Sequence, residues 1–166
     1  MIIKIIVLRE DVLYQVKSEA YITGEAQKNG DAVAESQAAK TQASDEDDYL
    51  LNTYIDSALS AVKDVLSGHL TSASSDEYQA KTDAGNDTTK FVLSIDVPST
   101  FDLNQTESLK EGIRNYLAQY ALMRWYKRVN PAMADPTELD QIRSDINHRI
   151  NQRVRPVRRP VLGINL

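Results

Sequence analysis

A chain of 166 residues, 42% of them hydrophobic, has the material for one domain with a sizeable core and too little for two. It contains no cysteine, which excludes a disulfide framework, a thiolate metal site and a thiol nucleophile. The formal net charge of −5 argues against a stand-alone nucleic-acid binder, because phosphates would repel the body of such a protein.

That net value hides a polarity along the chain. Through Met123 there are 10 Lys/Arg against 20 Asp/Glu, and from Arg124 onward 9 against 4. Such an asymmetry marks an interaction segment.

The apolar run Ile2 to Leu8 includes a single lysine and is followed by Arg9-Glu10-Asp11. It has neither the length of a membrane span nor the small-residue cleavage site of a signal peptide, so it predicts a short β-branched strand or buried arm in a cytoplasmic protein. From Arg9 to Thr23, Val12, Val16 and Ala20 recur at four-residue spacing beside Leu13, which predicts a short helix with Gly24 as its stop. Between Glu25 and Ser44 the composition falls to Ala, Gln, Lys, Ser, Glu and Asp. So little apolar surface cannot offset the entropy of ordering, and a flexible insertion or exposed, weakly helical loop is expected over about 25–44.

Ser44 with Asp47 resembles a capping box, and the acidic run Asp45-Glu46-Asp47-Asp48 sits where a helix macrodipole favours negative charge. Four consecutive acidic side chains fan around a helix axis, so the run reads as dipole complementation in preference to a metal site. The helix itself carries Leu51, Ile55, Ala58, Val62, Val65 and Leu66 as a core stripe, with Gly68 as a left-handed cap. Two extended runs about a turn signal at Ala84-Gly85-Asn86-Asp87 predict a β-hairpin over about 76–97. In its second strand Phe91, Leu93, Ile95 and Val97 share a buried face, and Lys90, Ser94 and Asp96 lie opposite.

After Pro98, a cap at Asn104 or Thr106 opens the central helix, whose apolar face runs through Leu109, Ile113, Tyr116, Leu117, Tyr120, Ala121 and Leu122. Trp125, flanked by Arg124 and Tyr126, suits a core or subunit-interface anchor better than a stacking platform for bases, since no second aromatic platform is nearby. Asp135, Pro136 and Glu138 supply three start signals for a further helix, with Leu139, Ile142, Ile146 and Ile150 on one face and Pro156 as its end. The chain therefore reads as mainly α: a small bundle of three to four helices with a β-hairpin and extended N- and C-terminal arms, residues 1–152 forming a single helical domain.

Residues 153–166 form the C-terminal arm. Arg153, Arg155, Arg158 and Arg159 alternate with Val154, Val157, Val161, Leu162, Ile164 and Leu166, and Pro156 and Pro160 keep the backbone extended. A purely solvated tail seldom carries six aliphatic side chains. The arm is expected to insert into a protein partner, with Arg153, Arg155, Val157, Arg158, Arg159, Val161, Leu162 and Ile164 as contacts and Trp125 as a further anchor.

No motif announces catalysis. The sequence has no Gly-rich phosphate loop, no G-x-S-x-G elbow, no His-Glu-x-x-His and no EF-hand loop. His69 and His148 are far apart in sequence, and neither has an evident converging partner. The expectation is a protein that is not an enzyme and takes no cofactor.

Several stretches carry a resemblance. Asp45 to Val62, the hairpin, and a helix ending in Met123-Arg-Trp-Tyr126 together resemble the head-to-tail connector (adaptor) proteins of tailed bacteriophages. Val7 to Leu13 and the strand ending Asp96-Val-Pro98 are similar to uncharacterised phage proteins of the Bacteroides group. The resemblance implies a homo-oligomeric ring, commonly of twelve copies, at the neck of the virion, made in the host cytoplasm. The arm from Arg153 would dock on the portal protein, the hairpin near Gly85 would project, and genomic DNA would pass without sequence-specific contact. Adjacent copies, the portal and another neck or tail protein are the implied partners, and no membrane is involved. A different tail-completion or neck ring protein and a small nucleic-acid-binding regulator are the alternatives.

Overall fold

A computed structural model describes residues 1–80 and 87–153, with side chains described outside 73–80 and 87–89. Strand β1 (Ile2–Leu8) runs directly into helix α1 (Arg9–Ala26), followed by α2 (Ala32–Thr41) and α3 (Asp48–Val65). Strands β2 (Leu70–Ala80) and β3 (Asp87–Asp96) form the hairpin, and α4 (Thr106–Val129) and α5 (Thr137–Ile150) complete the chain. The fold is mainly α, as expected, with a fifth helix and an N-terminal segment drawn into the sheet.

The sheet is antiparallel, in the order β1-β3-β2. Ile3, Ile5 and Val7 face inward and pair with Ile95, Leu93 and Phe91, so two β-branched and aliphatic faces close on each other. All six are buried. Val97 is buried as well, which completes the inward face read from the sequence. The hairpin tip around Gly85 lies outside the described residues.

The inward face of the sheet meets a core in which α4 is central, with contacts to α1, α2, α3, α5 and β1. The expected stripes are buried: Leu51, Ile55, Ala58 and Val62 on α3, Leu109, Ile113, Tyr116 and Leu117 on α4, and Ile146 and Ile150 on α5. Full burial of each such aliphatic side chain contributes roughly 1.5–3 kcal/mol.

Several expected boundaries shift. Gly24 does not stop α1 but lies buried inside it, where a Cβ would come within 2.5 Å of Gln42 Cγ and 2.8 Å of the Ala38 carbonyl oxygen. Its role is close approach of α1 to the segment after it. That segment is the helix α2, where a flexible insertion or an exposed, weakly helical loop was expected. Only Ala38 and Thr41 of α2 are buried, and polar bonds hold it: Gln37 Nε2 donates to the Val129 carbonyl at 2.9 Å, and Gln42 Nε2 to Glu25 Oε1 at 2.8 Å. Gly68 is not left-handed, since Gly30 (φ 84°) is the positive-φ glycine among the described residues. Neither Asn104 nor Thr106 caps α4; instead Asp102 Oδ1 accepts from the Asn104 amide at 3.0 Å over the 3-10 turn that precedes the helix.

Helix α5 starts one residue later than its signals imply: Pro136, expected as the first helical residue, is the cap position, and Asp135, expected as the cap, precedes it, its Oδ1 accepting from the Thr137 amide at 2.8 Å. Its end comes at Ile150, before Pro156, because the chain then turns to meet Phe101.

Candidate interaction surface

The acidic helix start is absorbed by the fold. Asp47 Oδ2 accepts from the Ser44 amide and hydroxyl, both at 2.9 Å. Lys17 on α1 lies 2.6 Å from Asp45 and 2.7 Å from Asp48. Burial works against the charged Lys17, but the bonds to Asp45 and Asp48 outweigh it and raise its pKa, while the bond from Lys17 lowers that of Asp45. The run thus ties α1 to α3. Among the described residues, no group of three or more His, Cys, Asp or Glu side chains is placed to hold a metal ion. His148 is exposed and His69 half-buried, with Nδ1 3.2 Å from the Asp96 carbonyl oxygen.

Trp125 is a core residue. It is 4% exposed, and its indole N–H donates to the Thr41 carbonyl at 2.8 Å, beneath the C-terminal turn of α2. Of the two roles expected for Trp125, core or subunit-interface anchor, this burial fits the core one, and the helix that covers it comes from the stretch read as flexible or as an exposed, weakly helical loop.

The arm has a fixed root. Arg153 forms an antiparallel bridge with Phe101, whose ring is buried, and the Asp102 amide donates to the Gln152 carbonyl at 3.4 Å. Phe101 in turn donates its amide to the Pro98 carbonyl at 2.9 Å, one turn beyond the end of β3. Arg153 itself is exposed. Arg155, Val157, Arg158, Arg159, Val161, Leu162 and Ile164 lie outside the described residues.

A second surface, not singled out from the sequence, is the outward side of the sheet. Ile2 and Ile6 point away from the core, 62% and 42% exposed, and Ile6 pairs with half-buried Val92. Lys4, also on this side, pairs with Ser94. Among the described residues, the edge of β1 is open too. Met1 and Val97 exchange both backbone bonds at 2.8 Å. Antiparallel alternation then directs the backbone groups of Ile3, Ile5 and Val7 to β3 and those of Ile2, Lys4 and Ile6 to the free edge. The signal was present in the sequence as a strand apolar at every position but Lys4, since a half-buried strand with apolar residues on both faces leaves one face bare.

Beside that edge runs a groove of about 300 Å³ lined by Ile6, Val7, Leu8, Asp11, Lys110, Glu111 and Arg114. Arg114 Nη2 donates to Glu111 Oε2 at 2.6 Å, while its buried Nε has no hydrogen-bond partner.

No helix among the described residues is long and apolar enough to cross a membrane. No protein-family model matches this chain, and no curated protein or solved structure matches it.

Proposed function

We propose that the chain is a structural subunit of a tailed-phage neck, a ring-forming head-to-tail adaptor that docks on the portal through the arm beginning at Arg153 and extends the DNA channel. The observation that carries this reading is the root of the arm. The bridge from Arg153 to Phe101, with Phe101 buried in the core, gives a basic and apolar segment a defined point of departure from a folded body. A fixed root limits the volume an arm explores, which raises its effective concentration at a site within reach. The acidic body and basic end also suit an assembly in which arms meet other subunits and bodies repel non-specific nucleic acid.

The test is co-sedimentation of the purified chain with portal rings, beside particle images of the chain alone. Ring-shaped particles and portal binding that disappears when residues 154–166 are deleted are the expected result. Unchanged portal binding after that deletion, or salt-sensitive binding to duplex DNA in place of portal binding, would overturn the reading.

A further inference from the structure

Two features of this chain match each other. One is the free edge of β1, with the backbone groups of Ile2, Lys4 and Ile6 unclaimed by any described strand and apolar Ile2, Ile6 and Val92 beside them. An open apolar edge of this kind templates the addition of another strand. The other is residues 161–166, Val-Leu-Gly-Ile-Asn-Leu, which carry neither charge nor proline and follow directly on the basic, proline-containing stretch Arg153 to Pro160.

An added strand places successive side chains on opposite faces. In one of its two settings, Leu162, Ile164 and Leu166 extend the bare apolar face of Ile2 and Ile6. Val161, Gly163 and Asn165 then turn toward the groove of Lys110, Glu111 and Arg114. Gly163 leaves room for the long side chains of α4, and the Asn165 carbonyl offers an acceptor to Arg114 Nε, which lacks one. Leu162, Ile164 and Leu166 thus meet a face whose apolar residues are Ile2, Ile6 and Val92, with Lys4 among them, and Val161, Gly163 and Asn165 meet a groove lined by both aliphatic and charged residues.

We propose that residues 161–166 of one copy add as a fourth strand to the free edge of β1 in a second copy. The choice of a second copy follows from the length and composition of the spacer. The root at Phe101 lies one turn beyond Val97, which pairs with Met1, so the arm departs close to the start of its own β1. Val154 to Pro160 contains two prolines and no Gly, Asn or Asp to reverse direction. Extended, these seven residues reach about 22 Å, nearly the roughly 23 Å of β1 itself. Along its own copy the spacer would use up the edge before residue 161 began, whereas a neighbour presents the whole edge. Donor strand and acceptor edge on every copy make a heterologous contact, which closes into a ring or propagates. The inference deepens the adaptor reading by naming what holds adjacent copies together, and it leaves the basic half of the arm for the portal.

The chain has no cysteine, so introduced thiols report contacts cleanly. Ile6→Cys is combined on one chain with Leu162→Cys, Ile164→Cys or Leu166→Cys in turn, folding is checked by circular dichroism, and disulfide formation is followed on non-reducing gels. Val33→Cys, at an exposed α2 position, with the same arm cysteines is the control. A ladder of covalent oligomers forming roughly tenfold faster than in the control is expected for at least one pair. A fast-migrating monomer with an internal disulfide, or no excess over the control, would overturn the proposal. In parallel, the chain shortened to residue 160 is expected to associate at least about tenfold more weakly by mass photometry with its thermal midpoint unchanged, and unchanged association would likewise overturn it. Portal binding by the shortened chain separates the two readings, since it survives if only the strand addition is wrong and is absent for every form of the chain if the adaptor reading is wrong.

Discussion

The indole nitrogen of Trp125 donates to the carbonyl of Thr41 across 2.8 Å, joining the central helix to α2, whose one bulky apolar residue, Val33, is exposed. The Thr41 hydroxyl, itself fully buried, donates to the Gln37 carbonyl at 2.9 Å, and the amide of Asn130 lies 3.4 Å from both the Thr41 hydroxyl and Gln27 Oε1. The α2 segment is thus held at its C-terminal turn by a polar cluster gathered under one large aromatic ring. Trp125→Phe keeps most of the apolar area and removes the donor, leaving a buried carbonyl unpaired. A loss of about 1–3 kcal/mol is expected in urea unfolding. Trp125→Ala adds a cavity, and about 3–5 kcal/mol is expected.

The same neighbourhood makes Gly24 a packing residue. A methyl group there would press on the Ala38 backbone oxygen at 2.8 Å as well as on the flexible Gln42 side chain at 2.5 Å. The backbone contact cannot give way cheaply. Gly24→Ala gains roughly 1 kcal/mol of helix propensity against roughly 1–3 kcal/mol of overpacking. A lowered thermal midpoint is therefore expected, with Gly24→Val lower still. Gly68→Ala, where nothing lies within 4 Å and φ is not positive, serves as the neutral comparison.

These positions explain what the sequence made legible. Elements whose stability comes from apolar periodicity were readable, including α3, α4, α5 and β3, because each places a bulky residue on the core every two or every three to four positions. The helix α2 was legible only as a flexible or exposed, weakly helical stretch, since its burial rests on Ala38 and Thr41 and its attachment on bonds from Gln37 to Val129 and from Gln42 to Glu25. Gly24 was misread for the same reason: a glycine that ends a helix and one that admits a neighbouring helix look alike in one sequence. For the interaction surface, the composition of the arm pointed to a partner, but its root was invisible until the bridge from Arg153 to Phe101 located it. The free edge of β1 could be inferred only once β3, and no other described strand, was found beside it.

Lys17 and Asp45 give the fold a pH dependence on both sides of neutrality. The Asp45 pKa is lowered in the folded state, so its contribution is present above the ordinary carboxylate value of about 3.9 and is lost as pH falls through the lower folded value. The Lys17 pKa is raised, so its contribution is complete below its ordinary value of 10.5 and is lost as pH rises through the higher folded value. Lys17→Met keeps the stem and removes the charge. Urea midpoints measured from pH 6 down to pH 2 are expected to fall less steeply for this variant than for the parent chain. Asp135, lowered by its bonds from the Thr137 amide and hydroxyl, contributes to the acid limb of both and is unaffected by the change.

The division of the arm into a basic half and an apolar half predicts two separable phenotypes. Replacing Arg155, Arg158 and Arg159 with alanine removes three charges and leaves Val161 to Leu166 intact. Portal binding by this variant is expected to weaken and to lose most of its salt dependence, because charges exposed at an interface rim act mainly through screened, long-range attraction. Association between copies, measured by mass photometry, is expected to stay within about twofold of the parent, since backbone pairing at the β1 edge uses none of these side chains. Replacing Leu162 and Ile164 with serine reverses the pattern: copies separate at concentrations where the parent associates, and the salt dependence of portal binding is retained. A variant set in which both changes weaken both interactions equally would mean that the arm acts as one segment on one partner, and the assignment of its two halves would fall.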